Sequence, residues 1–158
     1  MIRDGLIAEV FEGDRPGTDC GGRYLAPGII DIGVKVGEPG ERHKESFRTA
    51  GAAAAAGGVT TIVTRPDTLP ALDTPETLEF LLRRAIEASP VNVLPMAALT
   101  KGREGREMTE IGFLMDGGAV AFTDCEAVAS ARIPSPSAPQ CGPHRRTLSC
   151  AFGGEMPP

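Results

Sequence analysis

Residues 57–70 read Gly57-Gly58-Val59-Thr60-Thr61-Ile62-Val63-Thr64-Arg65-Pro66-Asp67-Thr68-Leu69-Pro70. Six β-favouring residues, Val59 to Thr64, lie between a glycine pair and a proline-rich loop. Such a short apolar run with β-branched residues, bounded by breakers, predicts a strand that is covered on both faces. Three more segments read the same way: Ile29 to Val34, Val91 to Met96 and Ala119 to Phe122. Their starts are 30, 32 and 28 residues apart, which is the length of a βαβ unit.

Helices are expected between them. The first spans roughly 44–56, where an alanine run ends at Gly57-Gly58. The second spans roughly 75–88, with Thr74 as its cap and Pro75 at its first position. The third spans roughly 107–115 and stops at Gly117-Gly118. Alternating strands and helices predict an α/β fold with a parallel sheet. Residues 1–24 look different: Gly5 to Phe11 reads as a strand and Gly13 to Gly22 as a turn-rich connector, part of a small β subdomain. After Glu126 the rhythm ends. Residues 132–158 hold six prolines and no apolar period, so neither a helix nor a central strand is expected there. Segment 127–158 is open to two readings, a disordered tail and the product of a shifted reading frame.

Composition narrows the function classes. The chain has 158 residues, 41% hydrophobic and 23% charged, as in an ordinary globular domain. No apolar run approaches the roughly 18 residues of a membrane span, and the N-terminus lacks a signal-peptide core. A net charge of -5, no Trp and one Tyr argue against nucleic acid or an anionic membrane as partner. The four cysteines show no CxxC spacing, so zinc ribbons and thioredoxin-type redox sites are disfavoured. A reducing cytoplasm is the expected compartment.

In parallel α/β folds, functional residues sit at the C-terminal ends of strands. Here those ends are Gly33 to Gly40, Thr64 to Asp73, Ala97 to Glu104 and Thr123 to Glu126. The segment Pro27-Gly28-Ile29-Ile30-Asp31-Ile32-Gly33-Val34-Lys35, the loop Glu38-Pro39-Gly40 and the Gly57 to Pro70 stretch resemble the dihydroorotase family of the amidohydrolase superfamily. His43-Lys44-Glu45, Thr74-Pro75-Glu76 and the run Val120-Ala121-Phe122-Thr123-Asp124 extend the match over roughly residues 1–126. The resemblance implies the first four βα units of a (β/α)8 barrel, residues 25–126, preceded by part of the β subdomain. A complete barrel of this type takes roughly 250 residues.

The departures from the family pattern bear on chemistry. The paired metal-binding histidines of the family fall at Gly33 and Lys35. Glycine offers no ligand, and an ammonium opposes a metal ion. The arginine expected to hold the substrate carboxylate falls at Gly37, and the asparagine of the second loop at Asp67. Of the acidic pair ending the fourth strand, Asp124 remains, a weak candidate ligand.

Lys35, Arg65 and Asp67 are therefore the substrate-pocket candidates. Lys35 reads either as a base or Schiff-base lysine, or as a structural cation paired with Asp67 or Asp124. Arg65 and Asp67 read as an anion site or as a local ion pair. Asp31 is expected to be a buried hydrogen-bond acceptor, His43 a surface or packing residue, and Cys125 an inert buried thiol.

The family resemblance implies a protein of pyrimidine biosynthesis. The replaced positions imply no catalytic residue, no cofactor and a scaffold role beside aspartate carbamoyltransferase. Self-association into a homo-oligomer is a further expectation, because four βα units leave an open sheet edge. Two alternatives stand: an active zinc-dependent dihydroorotase or cyclic amidase, and an anion-binding module using the vacated pocket.

Overall fold

The computed structural model describes residues 2–3, 6–13, 16–18, 21–127 and 148–149. Two strands, β1 (Ile2–Arg3) and β2 (Leu6–Ile7), form an antiparallel pair at the N-terminus. The main sheet comprises β3 (Ile29–Val34), β4 (Val59–Thr64), β5 (Asn92–Ala97), β6 (Ala121–Phe122) and β7 (Leu148–Ser149). Its strands lie in chain order and every pairing is parallel. Among the described residues, three α-helices lie between these strands: α1 (Phe47–Ala56), α2 (Pro75–Ala88) and α3 (Ile111–Asp116). This is the expected half-barrel of βα units. Of segment 127–158, only Ala127 and β7 are described, and the readings of its remainder fall outside the described residues.

Strands β4 and β5 present different residues to their two faces. Ile62 packs with Phe47, Leu72, Leu81 and Ala85 under the helices. Its neighbour Val63 points the other way, against Met96 and Ala121. Leu78, Ala97, Leu114 and Phe122 continue the helix-side layer. Phe47, Ile62, Leu72, Leu78 and Leu81 are at most 1% exposed. Each such side chain contributes about 1.5–3 kcal/mol of transfer free energy.

The helix ends follow their sequence signals. Ser46 and Thr74 each form a reciprocal capping box with the threonine three residues on. Gly58 ends α1 at φ +79°, a conformation that side-chain-bearing residues rarely adopt. Gly51 lies within α1 because a Cβ there would come within 2.5 Å of Ser89 Oγ and 2.7 Å of Pro90 Cδ. The close approach is to the connection after α2, not to the sheet.

Three expectations are corrected. Strand β3 is not covered on both faces: Ile29, Ile30 and Ile32 are 58–66% exposed. Among the described residues, β3 has a neighbour strand on one side only and forms a sheet edge. Asp31 is likewise exposed rather than a buried acceptor. The third helix begins at Ile111, not near 107, because Thr100 and Met108 form a β-bridge and Lys101 N–H donates to Glu107 O. Those contacts hold residues 107–108 out of the helix.

Leu81→Ala removes a side chain from the centre of the helix-side core. We expect a loss of about 2–5 kcal/mol, read from the midpoint of urea unfolding of the full chain at unchanged slope.

Candidate functional site at the strand ends

The C-terminal ends of β3, β4 and β6 bring together residues distant in sequence. Lys35 follows β3, Arg65 and Asp67 follow β4, and Asp124 to Glu126 follow β6. The Asp67 side chain is 5% exposed and accepts from two cations through Oδ2: Lys35 Nζ at 3.1 Å and Arg65 Nη2 at 3.0 Å. Of the two acids open to Lys35, the one it pairs with is Asp67. Burial pushes the Asp67 carboxyl up, but the Lys35 hydrogen bond and the Arg65 and Lys35 charges outweigh it and hold it below the ordinary value.

Arg65 also donates from Nη2 to Glu126 Oε1 at 2.6 Å. That contact, partly opposed by desolvation, raises the guanidinium pKa further above its ordinary value. Arg103, in the turn after β5, belongs to the same cluster. Its Nε and Nη2 donate to the Asp124 carbonyl at 3.3 and 3.1 Å, and Nη2 lies 3.9 Å from Glu126 Oε2. The signal for it was its place after β5 alone. The other residue missed was Glu38, 4% exposed, whose carboxylate accepts from Arg84 Nε and from Phe47 N–H at the start of α1. It ties the loop after β3 to two helices.

Asp124 is buried, and its carboxylate is fully engaged. Oδ1 accepts from the N–H groups of Leu99 and Thr100, both at 3.0 Å, and Oδ2 from Thr100 Oγ1 at 2.6 Å. It joins the end of β6 to the loop after β5. The adjacent Cys125 thiol is half-buried, and burial followed by the Asp67 charge pushes its pKa up. A protonated thiol is a poor nucleophile. His43 is exposed before α1, and among the described residues no ion pair or hydrogen bond of its side chain joins it to the cluster.

Gly33 completes the site by what it lacks. A register shift lies between Ile32 and Val34, and Gly33 adopts φ +93° within it. A Cβ there would meet no atom within 4 Å, so space is not the restriction. The backbone conformation is, since other residues rarely take it.

These donors do not suit a metal ion. Gly33 offers no atom, Lys35 is a cation, and the Asp124 oxygens serve backbone and hydroxyl donors. Among the described residues, no group of three or more His, Cys, Asp or Glu is placed to hold one.

The comparisons with known proteins agree with this half-barrel. Residues 22–137 match the family model described as dihydro-orotase-like. The chain belongs to this family. It is 44% identical over 128 residues to a dihydroorotase of Bacillus caldolyticus, an alignment covering 78% of this chain and 30% of that protein. With a dihydroorotase of Geobacillus kaustophilus it shares 48% identity over 106 residues, 67% of this chain and 25% of that one. The dihydroorotase-like chain therefore spans between a quarter and a third of the length of these relatives. Among solved structures, the L-hydantoinase (dihydropyrimidinase) of Arthrobacter aurescens superposes with a TM-score of 0.53 over 78% of this chain and 24% of its own, at 23% identity. That likeness speaks to the barrel fold. No helix among the described residues is long and apolar enough to cross a membrane.

Asp67→Asn tests the central ion pair. The folded carboxyl sits below its ordinary value of 3.8. Its contacts therefore stabilise the fold above that value and are lost as pH falls through the lower folded value. At neutral pH the variant should be about 1–3 kcal/mol less stable. As the pH falls below 3.8 the difference from the parent should shrink, as followed by urea unfolding at a series of pH values.

Proposed function

We propose that this chain is a non-catalytic dihydroorotase-like protein of pyrimidine biosynthesis that acts as a structural partner of aspartate carbamoyltransferase. One observation carries the reading: Lys35 Nζ lies 3.1 Å from Asp67 Oδ2, at the strand end where the family pattern has a metal-binding histidine. The second histidine position is Gly33, in a backbone conformation that discourages replacement.

Hydrolysis of a ring amide needs an activated water. In metal-dependent hydrolases a bound metal ion lowers the pKa of that water. The neighbouring groups offer no substitute. Asp67 is neutralised by Lys35 and Arg65, Asp124 is consumed by three donors, and the Cys125 thiol is pushed towards its protonated form. What this end of the sheet does supply is rigidity: ion pairs and hydrogen bonds link the loops after β3, β4, β5 and β6. A scaffold requires that of its surface, and the compartment expected for the pathway is the cytoplasm.

The purified chain, supplied with zinc during expression, should contain less than a tenth of an equivalent of zinc by elemental analysis. It should also show no hydrolysis of dihydroorotate above the protein-free rate. Stoichiometric zinc together with turnover would establish the active amidohydrolase instead. The scaffold role is tested separately by sedimentation velocity of the chain mixed with aspartate carbamoyltransferase from the same organism. A co-sedimenting complex is expected, and independent sedimentation of the two would refute the partnership.

A further inference from the structure

Two guanidinium groups converge on one carboxylate at the mouth of the sheet. Arg65 Nη2 reaches Glu126 Oε1 at 2.6 Å, and Arg103 Nη2 lies 3.9 Å from Glu126 Oε2. The arginines are largely covered, with side chains 24% and 21% exposed, whereas Glu126 is 76% exposed. The fixed part of the cluster is thus cationic and the exposed part is the acid.

We propose that Arg65 and Arg103 form an oxyanion-binding cradle in which the Glu126 carboxylate holds the place of a small carboxylate or phosphate ligand. The cradle is preorganised without Glu126. Arg65 is held by Asp67 at 3.0 Å, and Arg103 by two hydrogen bonds to the Asp124 carbonyl. When Glu126 swings out, Arg65 Nη2 and Arg103 Nη2 stay beside the space it leaves. Among the described residues, the buried Arg65 Nε has no hydrogen-bond partner. Guanidinium forks match carboxylate and phosphate oxygens alike.

The surrounding charges permit an incoming anion. With Glu126 displaced, Lys35, Arg65 and Arg103 stand against Asp67 and Asp124, so three positive charges less two negative leave +1. Asp67 does not oppose the ligand unshielded, since Lys35 and Arg65 both lie on its Oδ2. Lys35 itself is committed to Asp67, which places the anion on the two arginines instead. Glu126 then acts as an internal competitor that lowers the affinity of the site. The cradle rests on the strand-end geometry alone and does not depend on the absence of hydrolysis.

The test is calorimetric titration of the full chain with sodium phosphate and, separately, with sodium succinate, at constant ionic strength. Glu126→Gln removes the competing charge from an exposed position and should tighten binding of at least one anion about tenfold relative to the parent. Adding Arg103→Met to that variant should reverse the gain. Arg103→Lys, which keeps the charge and loses the fork, is the control should the methionine variant fail to fold, and it should weaken binding severalfold. Stronger binding of phosphate or of succinate identifies the ligand source. Equal affinities of parent and Glu126→Gln, retention of the gain after loss of the Arg103 fork, or no binding of either anion would each overturn the cradle. Hydrolysis of dihydroorotate by the chain would leave it standing and refute only the non-catalytic reading.

Discussion

The parallel pairing of β4 between β3 and β5 is the constraint on which the rest depends. Its ladder to β3 runs from Ile29↔Val59 to Val34↔Thr64, and its ladder to β5 from Thr61↔Asn92 to Thr64↔Pro95. The period of two along β4 sends Ile62 into the helix-side core and Val63 into the opposite layer. A slip of one residue would exchange those faces and break both clusters. Because the register is fixed, the residues beyond the strand are fixed too. Arg65 and Asp67 emerge beside Lys35 from β3, within reach of the segment that leaves β6.

At that end of the sheet the chain uses charge pairing. Asp67 is covered and requires a counter-charge, because an unpaired carboxylate in that setting is costly. Lys35 and Arg65 supply it from adjacent strands. Asp124 solves the same problem differently, with two backbone N–H groups and one hydroxyl. Both acids thus serve to join loops. The exposed Glu126 stands apart, because it rests against the arginines without being buried by them.

Much of the fold was legible because its signals are local. The strand Val59–Thr64 and the helix Pro75–Ala88 carry their own breakers, caps and apolar pattern, and the structure has them at those bounds. The shorter third helix was not legible, since a bridge between Thr100 and Met108 competes with its first turn. The exposure of Ile30 and Ile32 was hidden for a related reason. Their apolar character fits a strand covered on both faces, whereas exposure depends on which neighbours the strand has. In the site, the ion pair of Arg65 with Asp67 was open to a reading from two residues' separation. Arg103 was not, because its partners Asp124 and Glu126 lie more than twenty residues along the chain.

The sequence by itself determined the α/β alternation, the family and the presence of glycine and lysine at positions 33 and 35, since each is written in residue identity and spacing. Tertiary structure decided what stands in that place. Of the two acids open to Lys35, the pairing of β3 with β4 brings Asp67 to it, while the turn after β5 claims Asp124 first. It also decided that two arginines from different loops meet at one carboxylate. Ion pairs depend on distance in space, and only the register of the parallel strands sets that distance.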